Sequence, residues 1–364
     1  MNCLWFDPQQ RLLTSLFRKE FTMRIKAFAC ATLVLLSTPA LADDSSATLG
    51  TGGLVLQKTD KIALVSEDLY LSPTGVRISY RFRNLTNADY STTIAFPMPE
   101  FPGGGSNSTT VVPDPANDNF MKFQTVVDGQ PVASQLEQRA FLTQEGKSDI
   151  EITDKLKALH IPLVPTVEAT QAAISRLTNE QRKTLADGSI VDPGEESDYA
   201  GQPATLYPLW TLRSKYWRSQ TFPSGKEMTV QQTYVPVVGS LSSLLLGSPD
   251  MDQDSLKSYQ EKFCTDASFL KAARTLYAKA AADNAKTFQS FEQYLSYVIM
   301  SGGNWAGPIG NFRLVVDKGD PKTLVSFCGD GVKKISPTQF EMNIKNYKPD
   351  RDIDVLLLRT VSVQ

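Results

Sequence analysis

The chain has 364 residues, with 37 Lys and Arg against 39 Asp and Glu, and one histidine, giving a formal net charge of −2. That balance lacks the basic surplus by which nucleic-acid binders and binders of anionic lipid attract their partners. The single His160 removes the commonest acid–base group from most catalytic schemes and cannot supply a His-Glu-x-x-His zinc site.

Residues 1–42 read as a leader. Met23-Arg24-Ile25-Lys26 is a short positive region, residues 27–36 are apolar, and Ala40-Leu41-Ala42 is a small-x-small cleavage pattern, so cleavage is expected between Ala42 and Asp43. Residues 1–22 read as an extension from a mis-assigned start, with Met23 as the true one. The apolar run falls short of the roughly 20 residues that span a bilayer. With no longer run elsewhere, no transmembrane anchor is expected after cleavage, and the expected location is the periplasm or the exterior. Removing 42 of 364 residues leaves 322, and takes away five of the 37 basic and two of the 39 acidic residues, for a net charge of −5.

Residues 43–46 are polar and are expected to be loose. Gly50, Gly52 and Gly53 read as a flexible entry to the first strand, since a nucleotide loop needs a strand before it and a helix after it. Residues 61–99 alternate as strands. Ile62, Leu64 and Ser66 share one phase, and Val76, Ile78, Tyr80 and Phe82 face away from Arg77, Ser79, Arg81 and Arg83. Residues 101–119 are rich in Gly, Pro, Ser and Asp and read as a long loop, in which Asp114, Asn117, Asp118 and Asn119 are turn formers rather than cation ligands. Strands follow over 123–127 and, in part, 132–141.

The period then changes. Ile152, Leu156 and Leu159 are spaced for one helix, and Ala173, Ile174, Leu177 and Leu185 for a second. His160 lies at a helix end, the place of a cap or a surface residue. In residues 206–218, aromatic and cationic residues interleave. One reading is a ligand platform of Tyr207, Trp210, Arg213, Tyr216 and Trp217, joined by Trp305. The other, which the sequence favours, is a strand that uses its rings as core and holds its arginines at the rim.

Asp250, Asp252, Asp254 and Glu261 occupy positions 1, 3, 5 and 12 of a calcium loop. Ser255 replaces the glycine that such a loop needs. Capping of a helix starting near 255 is therefore favoured over calcium, and no other cofactor is implied. Cys3 and Cys30 leave with the leader. Cys264 and Cys328 remain, and an even pair in an oxidising compartment is expected to form a disulfide.

The expected fold is mainly β (α+β), with antiparallel sandwich-like sheets and two helical insertions near 149–185 and 255–285. A β-sandwich-like region covers 43–248, including the first insertion. A helical segment and a β-rich C-terminal region cover 249–364. Several segments carry a family resemblance: Gly50-Thr51-Gly52-Gly53-Leu54, Ser66-Glu67-Asp68-Leu69-Tyr70, Ala95-Phe96-Pro97-Met98-Pro99, Tyr207-Pro208-Leu209-Trp210, and Trp305-Ala306-Gly307-Pro308-Ile309-Gly310 on to Phe327-Cys328. Together they resemble a bacterial exported family known as domain of unknown function 4424. The resemblance implies a periplasmic or secreted location and supplies no activity, cofactor or catalytic residue. Two functions are then in play. One is a non-catalytic envelope protein that binds a small ligand or an envelope protein. The other is a secreted hydrolase, such as a glycosidase, working with carboxylates alone, for which Glu67 with Asp68 and Glu195 with Glu196 are candidates.

Overall fold

Alternation sets the layers. In Gly75–Asn84, Val76, Ile78, Tyr80 and Phe82 are buried while Arg77, Arg81 and Arg83 are exposed, as period-2 patterning requires of a sheet with one wet face. The structure, a computed structural model, describes residues 44–50, 53–104, 108–143, 147–192, 205–283 and 286–363. Among them, an eight-stranded sheet runs in the order Lys333–Lys334, Gln339–Tyr347, Ile309–Asp317, Ile62–Ser72, Gly75–Asn84, Glu227–Tyr234, Gln124–Val127, Gln130–Val132. Its apolar face shares one core with a seven-stranded sheet centred on Thr211–Phe222 and Tyr90–Pro97 and with a five-stranded sheet centred on Ile353–Ser362 and Phe288–Tyr297. The arrangement is mainly β and sandwich-like.

One pairing departs from the antiparallel expectation. Ile309–Asp317 runs parallel to Ile62–Ser72, and every other strand pairing among the described residues is antiparallel. Residues from both sides of 248 therefore share the eight-stranded sheet. They share the five-stranded one too, where Val238–Leu241 pairs with Phe288–Tyr297.

A bulge in Ile62–Ser72 changes the inward phase. The register slips between Leu64 and Ser66. Ile62 and Leu64 face inward before the slip, and Glu67, Leu69 and Leu71 after it, because one extra residue moves every later side chain to the other face. The continuous Ile62-Leu64-Ser66 phase expected from the sequence is corrected by this slip. Gly310 makes room for the bulge, since a Cβ there would lie 2.5 Å from the Val65 carbonyl oxygen.

The first helical insertion contains three helices rather than two: α1 (Thr153–Ala158), α2 (Val167–Ile174) and α3 (Asn179–Asp187). Thr178 breaks the longer run by capping. Its hydroxyl accepts the Gln181 N–H at 3.2 Å, and Gln181 Oε1 accepts the Thr178 N–H at 2.9 Å, a reciprocal box that starts a new helix. These helices bury Leu156, Ile174 and Leu185 against Trp210, Ala140 and Leu142. His160 follows α1, exposed and at φ 52°.

The second insertion is α4 (Gln253–Phe263) and α5 (Ala267–Asp283). Phe263, Leu270 and Ala273 pack on Leu356 and Leu358 of the five-stranded sheet. Cys264 ends α4, and Cys328 follows Leu324–Phe327. They form a disulfide with a Cα–Cα distance of 5.0 Å, so the bond ties the helical layer to that sheet, as the paired cysteines foretold.

Residues 44–46 are not loose. Ser45–Gly50 is a strand between Gly53–Gln57 and Tyr90–Pro97, and Asp44, Ser45 and Ser46 are buried. Gly50 pairs with Gly53, so these two glycines end one strand and begin the next instead of leading into the first. The leader and its cleavage point lie outside the described residues.

Candidate functional site

The outer face of the eight-stranded sheet carries the most chemistry. Register places two rows of side chains across it. One row runs Asn343, Arg313, Asp68, Ser79, Gln231, Val126, and the other Glu341, Val315, Tyr70, Arg77, Thr233, Gln124. Their central members line a groove of about 590 Å³. Neighbours across strands stand within mutual reach on one face, so six strands supply one continuous polar surface.

One end of the groove is internally paired. Arg313 bridges Asp68 at 3.0 Å and Glu341 at 2.8 Å. Tyr70 Oη and Gln339 Nε2 each donate to Asp317 Oδ2 at 2.9 Å. Burial pushes the Asp317 carboxyl up, but donors from Gln339, the Gly319 N–H and Tyr70 outweigh it and hold the group below the usual carboxylate range. The Tyr70 hydroxyl is raised by burial and by its bond to Asp317.

The other end is uncommitted. The Arg77 guanidinium lies over the Tyr70 ring, 3.7 Å from its centre, and forms no ion pair among the described residues. Stacking of this kind holds the plane flat, and beside its hydrogen bond to the Tyr70 hydroxyl the guanidinium keeps further N–H groups for a ligand oxygen. The side chains of Ser79, Gln124, Gln231 and Thr233 line the same groove and make no hydrogen bond within the described residues. The groove thus offers a fixed cation, two amides and two hydroxyls.

The aromatic and cationic residues singled out in the sequence do not form one exposed platform. Trp210, Tyr216 and Trp305 are buried. Trp210 belongs to the core under α1–α3 and donates its Nε1–H to the Leu163 carbonyl at 2.8 Å. Tyr216 stacks on Phe123 at 4.2 Å and donates to Asn119 Oδ1 at 2.6 Å. Trp305 packs on Phe82 at 4.8 Å and donates to the Asp44 carbonyl at 2.6 Å. Arg213 is taken up by Glu100 at 2.7 Å and Asp149 at 2.5 Å and lies over Phe141. Trp217 is half-buried on Ala47, Leu54 and Ala95, and half-buried Tyr207 sits in a short strand paired with Val191–Asp192. Strand alternation is the reason: in Thr211–Phe222, Tyr216 and Arg218 face inward while Arg213, Lys215 and Trp217 face the other way.

The acids of the calcium reading are likewise arranged otherwise. Residues 253–263 are helical, so Asp254 and Glu261 are wound into α4, and Glu261 pairs with Lys257 at 3.6 Å. Asp252 is the N-cap, accepting the Ser255 N–H at 2.7 Å, and the bonds from the Ser255 N–H and hydroxyl hold its carboxyl below the ordinary range. Asp250 lies two residues ahead of the cap. Asp252→Ala should lower the melting temperature by a few degrees, as loss of a cap does. Millimolar calcium should leave the wild-type melting curve in place, and a rise would restore the calcium loop.

The hydrolase candidates Glu67 and Asp68 point to opposite faces. Glu67 is 1% exposed, inside the core, and Asp68 is exposed in the groove and paired with Arg313. They cannot flank one scissile bond. Glu195 and Glu196 lie outside the described residues.

Sequence reasoning missed the groove because its members come from six strands. The legible part was the outward phase of Arg77 and Ser79.

Solved structures similar to the chain include the following two. One is a Legionella pneumophila protein described as a "putative nutrient binding protein", at 12% identity, covering 83% of this chain and 68% of that one, with a TM-score of 0.38. Another is the M1 zinc metallopeptidase from Deinococcus radiodurans, at 7% identity, covering 83% of this chain and 43% of that one, with a TM-score of 0.22. At those scores neither supports an inference about activity. No curated protein matches the sequence. The profile of the family described as "Domain of unknown function (DUF4424)" matches residues 42–356, and the chain belongs to that family.

Proposed function

We propose that this is an exported, non-catalytic binding protein of the bacterial envelope, and that it takes an oxygen-rich ligand of the oligosaccharide class on the outer face of its eight-stranded sheet. The observation that carries the ligand reading is the uncommitted end of the groove. A stacked guanidinium that forms no ion pair, and four polar side chains that make no hydrogen bond, among the described residues lie in one shallow surface. Sugar hydroxyls and carboxylates accept from guanidinium and amide donors in that flat geometry. Export is supported by the leader pattern of residues 23–42 and by the Cys264–Cys328 bond, since disulfides persist in oxidising compartments. No helix among the described residues is long and apolar enough to cross a membrane.

The test is calorimetric titration of neutral and acidic oligosaccharides into the wild type and into Arg77→Ala/Gln231→Ala. Each lost hydrogen bond to a charged or amide donor is worth about 1–3 kcal/mol. The double variant should therefore bind at least tenfold more weakly with an unchanged melting temperature. Failure of every oligosaccharide to bind at millimolar concentration, or equal binding by the variant, would sink the ligand reading.

A further inference from the structure

Two arginines of this fold meet unlike partners. Arg218 is 5% exposed, with Nη2 3.5 Å from Oδ2 of buried Asp44. Arg351 meets sulfur. It lies in the loop between Gln339–Tyr347 and Ile353–Ser362, is exposed, and forms no salt bridge among the described residues. Its Nη1 donates to the Glu261 carbonyl at 3.1 Å and lies 3.2 Å from Cys328 Sγ and 3.9 Å from Cys264 Sγ. A full positive charge therefore stands against the disulfide, nearer one sulfur than the other.

The two sulfurs differ in their surroundings. Cys264 is exposed and is the C-cap of α4, where the negative end of the helix disfavours a thiolate. Cys328 is half-buried after Leu324–Phe327. The carbonyl oxygens of Glu261 and Lys262 lie 4.0 and 3.6 Å from its Sγ, and they oppose a thiolate there because they would accept from the thiol. They are partial charges, however, and the Glu261 carbonyl already takes an N–H from Arg351. The guanidinium is closer to Cys328 Sγ than either and carries a whole charge, which lowers the pKa of a neighbouring thiol. The other charged groups of these elements are Glu261, 3.6 Å from Lys257, Lys262, 3.9 Å from Asp354, and Asp330, Asp350 and Asp352 in the loops. Tyr347, which feels Asp330, Asp350 and Arg351, is held neutral by burial. Among the described residues, Arg351 is the charged side chain that bonds the sulfurs.

We propose that Cys264–Cys328 is a directional thiol-exchange site: an incoming thiolate attacks exposed Cys264, and Cys328 leaves as a thiolate held by Arg351. The attacking sulfur forms a new S–S bond to Cys264 Sγ. The Cys264–Cys328 bond breaks, and its electron pair leaves on Cys328 Sγ. One thiolate enters and one departs, so this step consumes no proton and no external oxidant or reductant. A second thiolate attacking the mixed disulfide takes over the first thiol as an oxidised pair and leaves Cys264 reduced, protonated from solvent. Two thiols are then oxidised and one disulfide is reduced, a balanced two-electron exchange. Exchange proceeds faster when the departing thiol has the lower pKa, and attack needs an accessible sulfur. Here the accessible sulfur and the stabilised leaving group are different cysteines of one bond. The loop-closure entropy of the bond still resists net reduction. Arg351 governs which sulfur leaves and how fast. The product carries its adduct on the exposed end of α4, now untied from the five-stranded sheet.

The experiment uses the full chain with Cys3→Ser and Cys30→Ser, so that Cys264 and Cys328 are its remaining cysteines. The oxidised, folded protein is treated with glutathione, quenched early with N-ethylmaleimide and mapped by mass spectrometry. Glutathione should sit on Cys264 and the maleimide on Cys328, by about tenfold over the reverse, as the lower-pKa thiol is the one that leaves. An even split, or glutathione mainly on Cys328, overturns the proposal. Arg351→Met should slow the opening about tenfold, while Arg351→Lys, which keeps the charge, should retain most of the rate. Arg351 is exposed, so both variants should keep the parent melting temperature. An opening rate indifferent to Arg351→Met overturns the role of the guanidinium. A readout without substitution at Arg351 guards against a distorted loop. In the reduced protein, the pH dependence of alkylation by iodoacetamide should place the Cys328 thiol below about 8.5 and Cys264 at or above it. An ordinary or raised Cys328 thiol overturns the proposal. Glutathione and a thioredoxin present the same reacting thiolate, so the larger second-order rate constant identifies a small thiol or a protein as the source, and failure of both to open the bond in the folded chain overturns the site.

Discussion

Arg218→Ala is expected to destabilise the fold by about 3–5 kcal/mol, the cost of breaking a buried ion pair from one side. The magnitude comes from what stays behind. Asp44 would remain fully buried, with Gln232 as its side-chain donor, beside a second buried carboxyl at Glu67. Burial already pushes the Asp44 carboxyl up, against the opposing charge of Arg218, so removing the arginine drives it further up. A carboxyl raised in the folded state destabilises more as pH rises through its folded pKa. The deficit of Arg218→Ala should therefore be larger at pH 8 than at pH 5. Arg218→Met with Asp44→Asn removes both charges and should recover part of the loss, because an uncharged buried pair leaves no bare ion. Urea denaturation at the two pH values measures all of this. A loss below about 1 kcal/mol, or one independent of pH, would show that solvent reaches the pair.

How far the sequence revealed these features depends on the range over which each is encoded. The inward set of Gly75–Asn84 follows from period 2 alone, and so does the split of Thr211–Phe222 that buries Tyr216 and Arg218 and turns Arg213 and Trp217 away. The helical insertions are encoded by local spacing, and Thr178 and Asp252 announce their caps. The bulge at Val65 has no local signature. Its cause lies 245 positions along the chain at Gly310, whose missing side chain admits the Val65 carbonyl. That slip alone turns Glu67 inward. The burial of Asp44, Ser45 and Ser46 is equally non-local, since a polar tetrapeptide reads as solvated until Trp305, Asn304 and Gln232 are seen to satisfy it. The groove is in the same position. Arg77 and Gln231 are ordinary outward residues of two strands, and only the register across six strands assembles them into a site.

Loss of the Cys264–Cys328 bond is expected to cost up to about 4 kcal/mol by loop-closure entropy, for two cysteines 64 residues apart. That corresponds to a fall in melting temperature on the order of 10 °C. The cleanest variant is Cys264→Ala/Cys328→Ser in a chain lacking residues 1–42, which leaves no thiol. Cys264 sits at φ 53°, and alanine keeps the same left-handed strain that a glycine would relieve. The effect should be uneven over the fold. The bonded loop contains α5, while Cys264 fixes the end of α4 where Phe263 enters the helical layer's core. The eight-stranded sheet keeps its own core contacts in Ile62–Ser72 and Gly75–Asn84. Reduction should therefore expose residues 253–283 to protease before the sheets open, because the least contact-rich unit opens first. Ser326 Oγ still donates to the Phe263 carbonyl at 2.9 Å, and Leu270 still packs with Leu356 and Leu358, so the helices should loosen without detaching. Limited proteolysis with and without reductant, followed by mass mapping, locates the first cuts. Two free thiols in the unfolded, unreduced chain lacking residues 1–42, which carry Cys3 and Cys30, or a melting temperature indifferent to reductant, would refute a structural role for the bond.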